Sequence, residues 1–153
     1  MMNLVCFKTY IADTDMIATQ HPSETSAQFA LYDAVPEDFL RFGHGEAFDA
    51  KRVATLLDLK KADISHLAHV AESSVRFDQS IPSAVKIHLE EIARSINLVA
   101  KNFHGDADKT MTWFKTKNPM LGDIAPRDMI RLGKYDRLRR FIINAMMSKN
   151  APP

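Results

Sequence analysis

The residues with the most chemical potential are six histidines (His21, His44, His66, His69, His88, His104), a single cysteine (Cys6) and the acidic pair Glu90-Glu91. His66 and His69 stand three apart, so one helix face presents both. A zinc site needs three or four ligands, and neither Cys6 nor a carboxylate supplies a third at metal-ligand spacing. Cys6 has no base beside it in sequence and reads as an inert thiol. Glu90 and Glu91 are adjacent on a helix, where side chains point apart, so they make no acid/base dyad. No phosphate-binding loop, dinucleotide fingerprint or Gly-x-Ser-x-Gly elbow occurs. The chain offers no catalytic constellation, no metal and no cofactor; it reads as a non-enzyme.

What remains is the chemistry of charge and contact. The chain has 153 residues, 46% hydrophobic and 25% charged, the composition of an ordinary globular protein of one unit or two closely packed ones. One cysteine excludes an internal disulfide and fits a reducing compartment. No charged leader precedes an apolar run, and no stretch approaches the ~20 apolar residues of a membrane span. A cytoplasmic protein without a membrane partner is expected. The net charge is +1, but residues 1–50 carry two basic against eight acidic side chains, while residues 115–153 carry nine basic against three acidic. That polarity suits an acidic partner or anion at the C-terminal end, or two ends that face each other in an oligomer.

The elements that must position these groups read as mainly α-helical. Residues 1–45 form an extension with some strand character over 3–11, a polar stretch over 13–26, an apolar stretch over 28–35 and a short helix over Phe39, Leu40 and Phe42. Residues 46–104 read as a helix-turn-helix-like module. Its first helix covers 49–57 with Asp49 as N-cap and Val53, Leu56 and Leu57 inward. A second covers 63–70 with Ile64, Leu67 and Ala68 inward, and a third, recognition-like helix covers 72–77. In that arrangement Lys60 and Lys61 clamp phosphates, Ser73 and Ser74 contact phosphates at a helix start, and Arg76 reads a guanine or grips a phosphate. The segment 71–80 has one arginine beside Glu72 and Asp78, which is little of the basic charge that supplies most DNA affinity. Pro82 opens a long amphipathic helix with Val85, Leu89, Ile92, Ile96, Val99 and Phe103 on its apolar stripe, stopped by Gly105. Asp106 or Asp108 caps the next helix, which brings Met111, Trp113 and Phe114 to the core.

Residues 105–153 form a second helical unit. Trp113, Thr116, Asn118, Pro119, Leu121, Gly122, Pro126, Asp128, Met129, Ile130 and Gly133 follow in fixed order. Pro126 suits a first helical turn and Gly133 a helix stop. Tyr135, Leu138, Ile142 and Met146 make one stripe on the last helix. This ordered set resembles the C-terminal toxin-binding domain of the Xre/MbcA/ParS antitoxins, with Lys117 where a proline is common. The resemblance implies an antitoxin of a type II toxin–antitoxin pair. Its partner would be a RES-domain toxin that consumes NAD, neutralised by C-terminal helices that cover the active-site cleft. It also implies an N-terminal Xre-type module that binds operator DNA, and a homodimer matched to a palindrome. In this chain Arg137, Arg140, Asn144 and Lys149 are then the polar toxin contacts, with Ile143 and Met147 filling an apolar depression. Deleting 144–153 is expected to abolish neutralisation while the fold stays cooperative. Two other readings stand beside it: a stand-alone transcription regulator, and an interaction adaptor without DNA binding.

Overall fold

A computed structural model describes residues 37–150. The expected strand over 3–11, the stretches 13–26 and 28–35, Cys6 and His21 lie outside them. The described chain is mainly helical, as expected. It runs α1 (Ala50–Leu56), α2 (Lys61–Ala68), α3 (Ser83–Asn102), α4 (Ala107–Lys115), α5 (Pro126–Arg131) and α6 (Tyr135–Asn150). Single 3-10 turns intervene at Gly45–Ala47, Glu72–Ser74 and Pro119–Leu121. Asn118 and Ile124 form an isolated antiparallel bridge.

The helix starts follow local chemistry. Asp49 caps α1 by accepting from the Arg52 backbone N–H at 2.9 Å, and Asp106 caps α4 by accepting from that of Lys109 at 3.0 Å. Asp63 lies inside α2, not at its cap, and its carboxylate accepts from the Lys60 N–H at 2.8 Å. Pro126 occupies the first turn of α5. Gly133, at φ +69°, lets the chain leave α5 while the Lys134 N–H donates to the Met129 carbonyl at 2.8 Å.

Helix α3 is the axis of the molecule. It packs against α1, α2, α4 and α6. Its apolar stripe is buried as expected, but from Ile92 to Ala100 every residue except Arg94 is buried, so the polar face fades along the helix. The polar residues taken inside are hydrogen-bonded, as burial requires. Ser95 Oγ lies 2.9 Å from the Tyr135 hydroxyl of α6, and Asn97 Nδ2 donates to Asp38 at 3.1 Å. One continuous apolar cluster reaches from Leu40 and Phe42 through α1, α2 and α3 to Leu138, Ile142 and Met146. Trp113 and Phe114 sit inside it edge-to-face, ring centroids 5.0 Å apart.

Two expected elements are corrected. Phe39, Leu40 and Phe42 form no helix. The Asp38 carboxylate accepts from the N–H groups of Phe42 and Gly43 at 2.9 and 2.7 Å, which folds this segment into a turn laid on α3. Leu40 and Phe42 are buried by that turn. The recognition-like helix over 72–77 is also not formed. Only Glu72–Ser74 make one 3-10 turn, and Val75 ends it in extended backbone with its side chain in the core.

Candidate functional site

The seam of Tyr135, Leu138, Ile142 and Met146 seats α6 against the rest of the fold. At 100° per residue, side chains two positions away point to the opposite side. Arg137, Arg140 and Asn144 accordingly face solvent, with Lys134 just before the helix. This gives α6 an exposed, mostly cationic outer face. Arg140 Nε reaches back to the Asp136 carbonyl at 3.4 Å, and Ser148 Oγ to that of Asn144 at 2.9 Å. Such a face can meet carboxylates on a partner, and the arginine forks allow paired hydrogen bonds to them.

The expected contact residues divide. Arg137, Arg140 and Asn144 share the outer face. Lys149 is exposed, but its ammonium donates to Asn102 Oδ1 at 3.0 Å and so ties the end of α6 to α3. Ile143 is corrected: at 3% exposure it belongs to this chain's own core and cannot fill a partner's depression. Met147 is half-buried against the same cluster. Ala145 and Met146 are core residues too, so deleting 144–153 removes packing as well as contact surface. A feature missed in the sequence is Leu132, 56% exposed at the corner between α5 and α6. Its signal was an apolar residue off the Met129-Ile130 face, directly before a helix-stopping glycine.

The expected DNA residues are exposed but not assembled on a helix. Lys60 and Lys61 open α2, whereas Ser73, Ser74 and Arg76 lie on or just after the 3-10 turn. That turn packs against α2.

Much of the C-terminal basic charge is already engaged. The turn between α1 and α2 holds Asp58 at φ +52°, with its carboxylate 3.3 Å from Lys115 Nζ and 3.0 Å from Arg127 Nη1. Arg131 pairs with Asp128 at 3.2 Å and Asp63 at 3.8 Å, and donates to the Asp58 carbonyl. The hydrogen bond and charge of Lys115, then Arg127 and Arg131, hold the Asp58 carboxyl below its ordinary range. Asp58 itself is 57% exposed, so water screens its pairs with Lys115 and Arg127, whereas Arg131 and Asp63 are 27% and 23% exposed and better sheltered.

Among the described residues, no group of three His, Cys, Asp or Glu is arranged to hold a metal ion, and no helix is long and apolar enough to cross a membrane. No family model, curated protein or solved structure matches the chain.

Proposed function

We propose that this chain is an antitoxin-type binding protein whose C-terminal unit docks on a partner toxin and covers its active-site cleft. The partner class, a RES-domain enzyme that consumes NAD, comes from the resemblance to the Xre/MbcA/ParS antitoxins. The observation that carries the docking surface is the outer face of α6, where Arg137, Arg140 and Asn144 stand exposed on a helix whose other side is core. With Ile143 inside, the contact is chiefly electrostatic, and its strength falls with salt.

The adaptor reading, partner binding without operator reading, has its own supporting observation. A three-residue 3-10 turn offers no helix to lay in a major groove. Repression of the operon, in this proposal, works through the partner complex or a dimer rather than through Arg76 alone.

The experiment is co-expression of tagged chain with the reading frame beside its gene, followed by co-purification, cellular NAD and growth. A stoichiometric partner whose release depletes NAD and stops growth is the expected result. The double charge reversal Arg137→Glu, Arg140→Glu should abolish co-purification without lowering the melting temperature. A complex that survives the reversal refutes the α6 face. A chain that binds upstream DNA and ignores every co-expressed protein refutes the antitoxin reading.

A further inference from the structure

The turn between α1 and α2 sends one acidic side chain among the cations of the C-terminal unit. Lys115 ends α4, and Arg127 stands in the first turn of α5. Lys115 Nζ and Arg127 Nη1 converge on the same atom, Asp58 Oδ2, at 3.3 and 3.0 Å. The two cations therefore frame a space that one carboxylate oxygen fills. Three features set this contact apart from core packing. Asp58 is 57% exposed and Lys115 41%, so dissolved anions reach the contact. Leu57 and Leu59, on either side, are buried, so the turn stays seated whether or not Asp58 is charged. The backbone at Asp58 is left-handed, φ +52°, where glycine is the easiest residue; aspartate tolerates it and brings the charge.

An exposed carboxylate held by two cations is screened by water, and another carboxylate can displace it. We propose that Asp58 is an autoinhibitory contact, which masks Lys115 and Arg127 from the carboxylates of an acidic polypeptide partner. The inference rests on the reading that the C-terminal unit docks on such a partner, and it adds a contact on α4 and α5 to the face on α6. Asp58 and the partner compete for the same two cations. Removing the charge of Asp58 therefore strengthens partner binding although no new contact is built. A carboxylate is favoured over a nucleic-acid phosphate because the space between the two cations already holds a carboxylate oxygen.

The test is calorimetric titration of the full chain with poly-L-glutamate, the probe for an acidic polypeptide, at about 50 mM NaCl, where screening is modest. Asp58→Asn removes the charge and keeps the shape and the left-handed backbone. Asp58→Gly removes the charge and relieves the backbone, so the outcome does not depend on the folding of a single variant. Each should bind the probe about three- to tenfold more tightly than the parent, as two weak pairs are released. Arg127→Gln added to Asp58→Asn should remove most of that gain, whereas Arg127→Gln alone should change the parent little. Glu72→Gln makes the same change in net charge at an exposed site and should bind as the parent does. Asp58→Asn added to the Arg137→Glu, Arg140→Glu chain should still gain over that chain, so failure of the α6 face and failure of this inference read differently. A gain below about twofold in both Asp58 variants, or no binding by either, overturns the proposal. So does an equal gain in Glu72→Gln. A gain confined to duplex DNA, with none for poly-L-glutamate, overturns it as well and makes the two cations a phosphate contact.

Discussion

Replacing Asp38 by alanine tests how the N-terminal turn is held to α3. Its carboxylate accepts from the Phe42 N–H at 2.9 Å, the Gly43 N–H at 2.7 Å and Asn97 Nδ2 at 3.1 Å. Phe42 is 1% exposed and Asn97 5%, so their donors have little water to turn to once the acceptor is gone. An unsatisfied buried donor costs about 1–3 kcal/mol. Asp38 itself is only half-buried, and water will replace part of the loss. The low end of that range, summed over three donors, gives about 3 kcal/mol for Asp38→Ala. For a chain of this size that corresponds to a fall in Tm of roughly 6–12 °C. Asp38→Asn keeps one carbonyl acceptor and should lose about half as much. The pH dependence has a definite sign. Burial pushes the Asp38 carboxyl up, but the hydrogen bonds from Phe42, Gly43 and Asn97, with the charge of His44, outweigh it and leave the pKa lowered. A group depressed in the folded state contributes fully above its unfolded pKa of about 3.9, and the contribution is lost as pH falls through the folded value. Urea unfolding at neutral pH should therefore separate parent and Asp38→Ala most widely, and the gap should narrow in acid. A change below about 0.5 kcal/mol at neutral pH, or a gap that widens on acidification, refutes the reasoning.

The other expectations concern the core and its turns. Trp113→Ala opens a cavity beside Phe114 and should cost about 3–5 kcal/mol in urea unfolding; lost partner binding at unchanged Tm would make Trp113 a contact residue instead. Ile143→Ala should cost about 2–5 kcal/mol, and a variant that melts like the parent would return Ile143 to the surface. Gly43→Ala meets both a left-handed backbone and a 2.3 Å approach to the Ala47 oxygen, whereas Gly122→Ala, at φ +76°, has nothing within 4 Å. Gly122→Ala should cost only the backbone strain, about 1–2 kcal/mol, and Gly43→Ala clearly more; equal melting temperatures would remove the steric argument.

What was legible in the sequence was whatever local chemistry decides. The long periods of α3 and α6, the caps Asp49 and Asp106, Pro126 in a first turn and Gly133 as a stop all stand where their residue types placed them. Short segments were misread because their partners are remote. Pro36-Glu37-Asp38 resembles a helix start, yet the Asp38 side chain captures the Phe42 and Gly43 amides and receives Asn97 from 59 residues away. Residues 72–77 carry no stripe that needs a helix: Val75 is buried and Phe77 partly so, two positions apart, which one 3-10 turn followed by extended backbone allows. At the candidate face the period of α6 identified Arg137, Arg140 and Asn144 as outward. It did not reveal that Ile143, next to the Ile142 seam, is covered as well. Charge counting alone treated Lys115, Arg127 and Arg131 as available, although Asp58 and Asp63 hold them.

The burial of α3 on nearly all sides along its second half has a mechanical consequence. It is a keel shared by both halves of the sequence: α1 and α2 pack on it, and so do α4 and α6. A load on α6 would therefore reach α3 through the Ser95–Tyr135 and Asn102–Lys149 ties, and through α3 the helices α1 and α2. The two halves are not beads on a string. A cut between residues 104 and 105 would part α4 and α6 from α3, on which both pack.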